Sequence, residues 1–308
     1  MPEVVMSDEL LDAPLLLGRY QPVRLLGGGG AALVFEGRDE SLGRSVAIKI
    51  LRSGSPEAMT QYRQELRLLA GMAHHGIVSV IDAGIDESSP HTPRPFLILE
   101  LIRENTLREL LADGPLRTRA IGEIGYEIAE ALDYAHARGI VHHDVTPTNI
   151  MLVDYGMPHV RPRARLTDFG IAADADALTP ESGMTFGTAA YMSPEQARGA
   201  KPGPPSDIYS LGLVLLECFT GQLAFPGDVS STLAARLERP PVFPDSIPSQ
   251  WTALLRVMTR PDPDERPIAA EVLEEARHAL RRRSKHRAPA LTSVHDERGE
   301  SVAGGEGI

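Results

Sequence analysis

His142-His143-Asp144-Val145-Thr146-Pro147-Thr148-Asn149 is the stretch on which the reading of this chain turns. It follows a helix-like segment and a short apolar pair, Ile140-Val141. Asp144 and Asn149 stand five residues apart in a loop, and oxygen donors so placed can serve a hydroxyl and a metal. The adjacent histidines look metal-like, but neighbouring side chains point apart and no third nitrogen or sulfur ligand is evident, so zinc is not assigned. Downstream, Asp168-Phe169-Gly170 sets a carboxylate beside a flexible point. That suits Mg²⁺, which prefers oxygen ligands, keeps several waters and is often held through substrate phosphates.

Toward the N-terminus the pattern favours short strands: Arg19–Leu26, Leu33–Arg38, Ser45–Leu51, Ile77–Asp82 and Phe96–Leu101. The third carries the β-branched run Val46-Ala47-Ile48-Lys49-Ile50. Between the first two lies Gly27-Gly28-Gly29-Gly30, where backbone amides can approach phosphate oxygens closely. Four glycines would equally make a hairpin turn. A dinucleotide-binding fingerprint is excluded, because the next element is a strand and not a helix. Lys49, inside an apolar strand, is either solvated at an edge or held by a carboxylate. Glu65 is a candidate partner, on a helix marked by Tyr62, Leu66, Leu69 and Ala73 and ending near Gly71.

Beyond Thr106 the character becomes helical. Ile121, Ile124, Ile128, Leu132 and Ala135 form one stripe, punctuated by Gly139. A second helix is expected over Asp207–Thr220, with Ser206 or Asp207 as its cap, and a third from Ala269 to about Arg282. Cys218 and Trp251 read as packing residues. The expected division is a lead-in over 1–16, a β-rich lobe over 17–102, a helical lobe over 103–283 and a disordered tail over 284–308.

The 308 residues suffice for two lobes with a cleft between them, and 42% of them are apolar. A net charge of −11 argues against nucleic acid as the main partner. A single cysteine excludes an intrachain disulfide and suits a reducing cytoplasm. The acidic start lacks the pattern of a secretory signal, and the run Leu211–Phe219 is too short to span a bilayer. The basic run Arg281–Arg287 reads as a solvated helix end.

In order and spacing, these motifs resemble the eukaryotic-type (Hanks) protein kinase family over about residues 18 to 280. They are the glycine-rich loop Gly27 to Val34, the Val46-to-Lys49 strand, Glu65, the loop His142 to Asn149, Asp168-Phe169-Gly170, Ser193-Pro194-Glu195, Asp207 and Arg266. The stretch Gly187 to Ala197 and the run Ser206 to Gly212 look most like bacterial serine/threonine kinases. The resemblance implies an α+β bilobal fold and transfer of the γ-phosphoryl of ATP to Ser or Thr of protein substrates, the kinase itself included.

The resemblance also implies roles. Leu26, Gly27, Gly28, Gly29 and Gly30 would cover ATP, and Lys49, held by Glu65, would bind its α- and β-phosphates. Adenine would lie between Val34 and Ala47 above and Met151 below, its edge on the backbone of Glu100 and Ile102 behind a gatekeeper at Leu99. Asn149 and Asp168 would ligate Mg²⁺. Asp144 would accept the hydroxyl proton, with Thr188 supporting it. Leu69, His142 and Phe169 would stack into a regulatory spine. Asp207 would accept backbone hydrogen bonds from the catalytic loop, and Glu195 would pair with Arg266.

Two positions depart from the family pattern. His143 stands where the family has an arginine that pairs with a phosphate on the activation segment, for which Thr179, Ser182 and Thr185 are candidate sites. Thr146 replaces a lysine that contacts the γ-phosphate. An alternative reading is therefore a nucleotide-binding pseudokinase acting as a scaffold or allosteric regulator. A small-molecule phosphotransferase fits less well, because Gly187 to Glu195 resembles a peptide-positioning segment. Dimerisation is left open.

Overall fold

The computed structural model describes residues 11, 15–28, 32–51, 66, 68–86, 93–157, 161–169 and 186–285. Gly29, Gly30, Glu65, Gly170, the three candidate phosphosites and most of the expected lead-in and tail lie outside these residues.

Strands β1 (Tyr20–Gly28), β2 (Ala32–Asp39), β3 (Arg44–Leu51), β4 (Val80–Asp86) and β5 (Arg94–Glu100) form one antiparallel sheet in the order β1-β2-β3-β5-β4. Side chains alternate across a sheet with a period of two, and that alternation builds the cleft. Leu33 and Phe35, Val46, Ile48 and Ile50, and Phe96 and Ile98 fill the small lobe's own core with Tyr20. Their neighbours Ala47, Leu51, Leu97 and Leu99 join a second core shared with the larger lobe. Lys49, two residues from both Ala47 and Leu51, is thereby directed to the cleft side.

The larger lobe comprises α1 (Leu107–Leu111), α2 (Thr118–His136), the hairpin β6 (Ile150–Val153) and β7 (Arg163–Leu166), and the short helices α3 (Phe186–Ala189) and α4 (Pro194–Ala197). It continues through α5 (Pro204–Thr220), α6 (Val229–Glu238), α7 (Ser249–Met258) and α8 (Ala269–Lys285). The expected stripe on α2 is buried, as is nearly all of α5. Gly221, with φ +68°, caps α5 by donating its N–H to the Glu217 carbonyl at 2.7 Å. Among the described residues, no helix is long and apolar enough to cross a membrane.

Several elements differ from the sequence expectation. The fourth strand begins at Val80, not Ile77. Ile77 and Val78 are buried, but they pair with the larger lobe: Val78 donates to the Leu166 carbonyl and Leu166 to that of Gly76, both at 2.8 Å. Their apolar pattern marks burial and not membership of the sheet. Neither Ser206 nor Asp207 caps α5. The helix starts a turn earlier, at Pro204, whose missing N–H costs nothing there. Ser206 Oγ accepts the N–H of the N-cap Gly203 at 3.3 Å, and Asp207 is turned to other bonds. The β6–β7 hairpin and α6 have too little periodicity to stand out in the sequence, whereas α7, not singled out there, buries Trp251, Leu254, Leu255 and Met258 at helical spacing; Trp251 is buried, as expected of a packing residue.

Gly212 lets α5 approach the end of α7. A Cβ there would lie 2.8 Å from Thr259 Cγ2 and 3.1 Å from Met258 Cβ. Overpacking costs about 1–3 kcal/mol, against a helix-propensity gain of about 1 kcal/mol. Gly212→Ala should therefore lose on the order of 1 kcal/mol, read as a lower urea midpoint.

Candidate active site

The site lies where the sheet's cleft face meets the loop between α2 and β6. Asp207, buried in the first turn of α5, organises that loop. Its Oδ2 accepts the backbone N–H of His142 and the Nε2–H of His136, both at 2.8 Å, and its Oδ1 accepts the N–H of His143 at 2.9 Å. Gln196 Nε2 donates to the His143 carbonyl at 3.1 Å. His143 is thus gripped from both sides and held at φ +69°, a conformation that a non-glycine residue keeps only when its surroundings impose it.

His142 is fully buried, and both ring nitrogens are used. Nε2–H donates to the Thr167 carbonyl at 2.9 Å, and Nδ1 accepts the N–H of Asp144 at 3.3 Å. Its ring packs on Phe169 at 4.5 Å between centroids. This histidine ties the Asp144 loop to the Asp168-Phe169 turn. A metal role for the His142-His143 pair has no support in this geometry.

Asp144 is held by Asn149, whose Nδ2 donates to the Asp144 carbonyl at 2.8 Å and to its Oδ2 at 2.9 Å. Oδ1 is buried and has no hydrogen-bond partner among the described residues. Burial raises the Asp144 pKa above the ordinary aspartate value, and the Asp168 carboxylate adds to the rise. Asp168 has φ +60°, and its Oδ1 lies 3.1 Å from Lys49 Nζ. The Lys49 side chain is 13% exposed and that of Asp168 32%, so the contact is partly shielded from solvent. Because the expected partner Glu65 lies outside the described residues, Asp168 is the carboxylate seen on Lys49. Behind the pair is a small pocket lined by Leu69, Met72, Leu99 and Phe169 among others.

The candidate nucleotide residues lie along the same cleft. Ala47 pairs in register with Leu99, Val34 with Lys49 and Gly27 with Val34. Ala47 and Leu99 are nearly buried; Val34, Glu100, Ile102 and Met151 are half-buried; Leu26, Gly27 and Gly28 are exposed. Met151 reaches the linker through a bridge to Thr106. Thr188, in α3, is half-buried, and it is not bonded to Asp144 Oδ1. Thr146 is buried, and its carbonyl accepts the N–H of Asn149 at 3.0 Å.

Three supports were not singled out in the sequence. His136 and Gln196 brace the loop as described. Arg165, in β7, donates to the Ile77 carbonyl at 2.7 Å and to the Glu100 carboxylate at 2.9 Å. Gln196 had a readable signal. Ser193-Pro194-Glu195-Gln196 is a capping box in which Ser193 Oγ accepts the Gln196 N–H and Gln196 Oε1 accepts the Ser193 N–H.

As ligands for a divalent cation, the residues present fit. Both side-chain hydrogen bonds of Asn149 leave through Nδ2, so its amide oxygen stays available, and with the Asp168 carboxylate it offers a hard oxygen pair.

A family model described as "Protein kinase domain" matches residues 20–276. The chain is 36% identical over 284 residues to the serine/threonine-protein kinase PknA of Mycobacterium tuberculosis, 90% of this chain and 64% of that protein. It is 36% identical over 266 residues to PknL of the same species, 83% of this chain and 64% of the relative. It is also 36% identical over 264 residues to PknB of Mycolicibacterium smegmatis, 82% of this chain and 41% of the relative. The chain thus spans less than two thirds of these relatives' own length. The family match covers most of this chain and includes every element that builds the cleft, so the chain belongs to the eukaryotic-type protein kinase family.

Proposed function

We propose that this chain is an ATP-dependent serine/threonine protein kinase acting in the cytoplasm on protein substrates and on itself. The observation that carries the reading is Asp144: a half-buried residue whose carboxylate, raised in pKa, is oriented through one oxygen by Asn149 and has its other oxygen unpartnered among the described residues. A structural carboxylate would have both oxygens satisfied. A carboxylate oxygen without a partner suits a substrate hydroxyl.

In this reading the glycine-rich turn covers the phosphates of ATP, and Lys49 places its ammonium against the α- and β-phosphates. Adenine lies between Val34, Ala47 and Met151, its edge on the backbone of Glu100 and Ile102. Asn149 and Asp168 would hold Mg²⁺, which would supply charge neutralisation on the phosphates. Asp144 Oδ1 accepts the hydrogen bond of the acceptor hydroxyl and aims it in line with the γ-phosphorus. As the new O–P bond forms, the bond to the ADP oxygen breaks, and the hydroxyl proton passes to Asp144. Thr188 supports Asp144 in the loaded complex. Positioning and charge neutralisation are what such a site contributes, because phosphoryl transfer asks little covalent chemistry of the protein.

The test is transfer of label from γ-labelled ATP-Mg²⁺ to casein by the purified chain, with nucleotide binding read separately by thermal shift. Phosphoserine and phosphothreonine products are expected. Binding without transfer would leave the scaffold reading in its place.

His143 bears on regulation. Burial pushes its imidazole pKa below the ordinary histidine value. It is therefore uncharged at neutral pH and a poor phosphate partner compared with arginine. Phosphatase treatment of the purified protein should lower its activity by less than about threefold. A collapse of activity would show that the activation segment is held by phosphate through some other cation.

A further inference from the structure

The segment Ala189–Met192, running from the last residue of α3 toward α4, is buried throughout. It lies beside the catalytic loop, since Gln196 just beyond it donates to the His143 carbonyl. Two of its anchors come from α5, in the centre of the larger lobe. Ser210 Oγ donates to the Tyr191 carbonyl at 2.8 Å, and the Tyr191 hydroxyl bonds to Glu217, with Arg108 joined to both.

The third anchor comes from α6. The Arg236 guanidinium donates through Nη1 to the Met192 carbonyl and through Nη2 to the Ala189 carbonyl. Its Nε–H donates to the Thr232 carbonyl of its own helix at 3.2 Å. One planar fork therefore binds both ends of the segment.

Arg236 is only 3% exposed, and among the described residues no carboxylate pairs with it. Burial pushes its pKa down to about 10. The Phe225 ring, 5.4 Å from the guanidinium carbon, is part of its setting. A buried cation without a counter-ion is costly, and a neutral side chain would pack there at lower cost. What a neutral side chain lacks is the rigid multi-donor geometry that reaches two carbonyls three residues apart. Of the ten residues of α6, only Thr232 and Arg236 are buried, so this helix adds little to the apolar core. Its main inward contribution is the grip on Ala189–Met192.

We propose that Arg236 is a positioning residue for the polypeptide acceptor: by fixing the carbonyls of Ala189 and Met192, it sets the course of the buried segment that backs the acceptor's place near Asp144. This rests on the kinase reading above.

The test uses the full chain, ATP-Mg²⁺ and casein, with Arg236→Met, Arg236→Lys and Thr232→Val. Arg236→Met should raise KM for casein by about tenfold, and Arg236→Lys by less, while KM for ATP and the slow transfer of phosphoryl to water stay within about twofold. Thr232→Val removes the hydroxyl bond to the Phe225 carbonyl, at 3.2 Å, and loosens α6 without touching the segment. It should lower Tm and leave KM for casein unchanged. If Arg236→Met does not fold, Arg236→Lys decides. An unchanged casein KM in the Arg236 variants, or an equal rise in Thr232→Val, would overturn the proposal. A wild-type chain that transfers phosphoryl to water but not to casein fails as a protein kinase, and the acceptor role of Arg236 falls with it.

Discussion

Asp144→Asn should lower phosphoryl transfer by about 10²–10⁴-fold, the usual loss when a positioned acid–base group is removed. The amide has nearly the shape of the carboxylate and can still meet Asn149, so the loop and the nucleotide cleft are expected to persist. What is lost is an oxygen that can accept a proton. Thermal shift with ATP-Mg²⁺ should match the wild type, which separates this variant from Lys49→Met, where nucleotide affinity falls as well. The pH profile gives a second signature. Burial and the neighbouring Asp168 raise the Asp144 pKa, so as pH falls the base is lost at a higher pH than for an ordinary aspartate. The acid limb of kcat/KM should lie above the usual aspartate range. A limb at the ordinary value, or near-wild-type transfer by Asp144→Asn, would remove Asp144 from the role.

The second large effect concerns Glu195 and Arg266. The guanidinium is bidentate on the carboxylate, at 2.7 and 2.8 Å, and also donates to the carbonyls of Pro205, Arg260 and Pro261. Ser206 Oγ adds a bond to Glu195 at 2.6 Å. The side chains are 0% and 14% exposed, so this pair is not a surface ion pair. Removing one partner strands the other, and Arg266→Met should cost about 3–5 kcal/mol of stability in urea unfolding. The pH dependence gives an independent estimate. Burial alone would raise the Glu195 pKa, but the bonds from Arg266 and Ser206 outweigh it and hold the carboxyl down to about 2, from an ordinary 4.5. A depressed folded pKa stabilises above the unfolded value, and that stability is lost as pH falls from about 4.5 through about 2. The difference corresponds to about 3 kcal/mol, in line with the mutational figure. Glu195→Gln should therefore be less stable than wild type at pH 7, and the gap should narrow by pH 3. A gap independent of pH would mean that the carboxylate's charge is not what holds the pair.

Much of this was legible in the sequence because local patterns carried it. The stripe Ile121 to Ala135 is buried on α2, and the run around Val46 is the central strand that presents Lys49. The pairing of Glu195 with Arg266 and the bonds of Asp207 to the catalytic loop also stand as expected. The misreadings share one cause. Ile77 and Val78 looked like a strand because they are apolar, yet their bonds go to Leu166, far along the chain. Ser206 and Asp207 looked like caps because such residues favour helix starts, but Gly203-Pro204 begins the helix a turn earlier. Residue type reports burial and local preference; it does not report the partner.

Sequence alone determined the strands around Val46, the long helices α2, α5 and α8 to within a turn, and chemical kinds that meet at the cleft: a lysine, two aspartates and an asparagine. Those follow from periodicity and from motif order, which are properties of neighbours in the chain. Only the tertiary structure decided which oxygen of Asp144 is left open, that the Asp168 carboxylate lies on Lys49, and that Arg236 grips Ala189 and Met192. The last two depend on groups tens of residues apart brought into contact, and all three on burial and hydrogen-bond geometry, which set the energies. Those distances are fixed by packing of the whole domain.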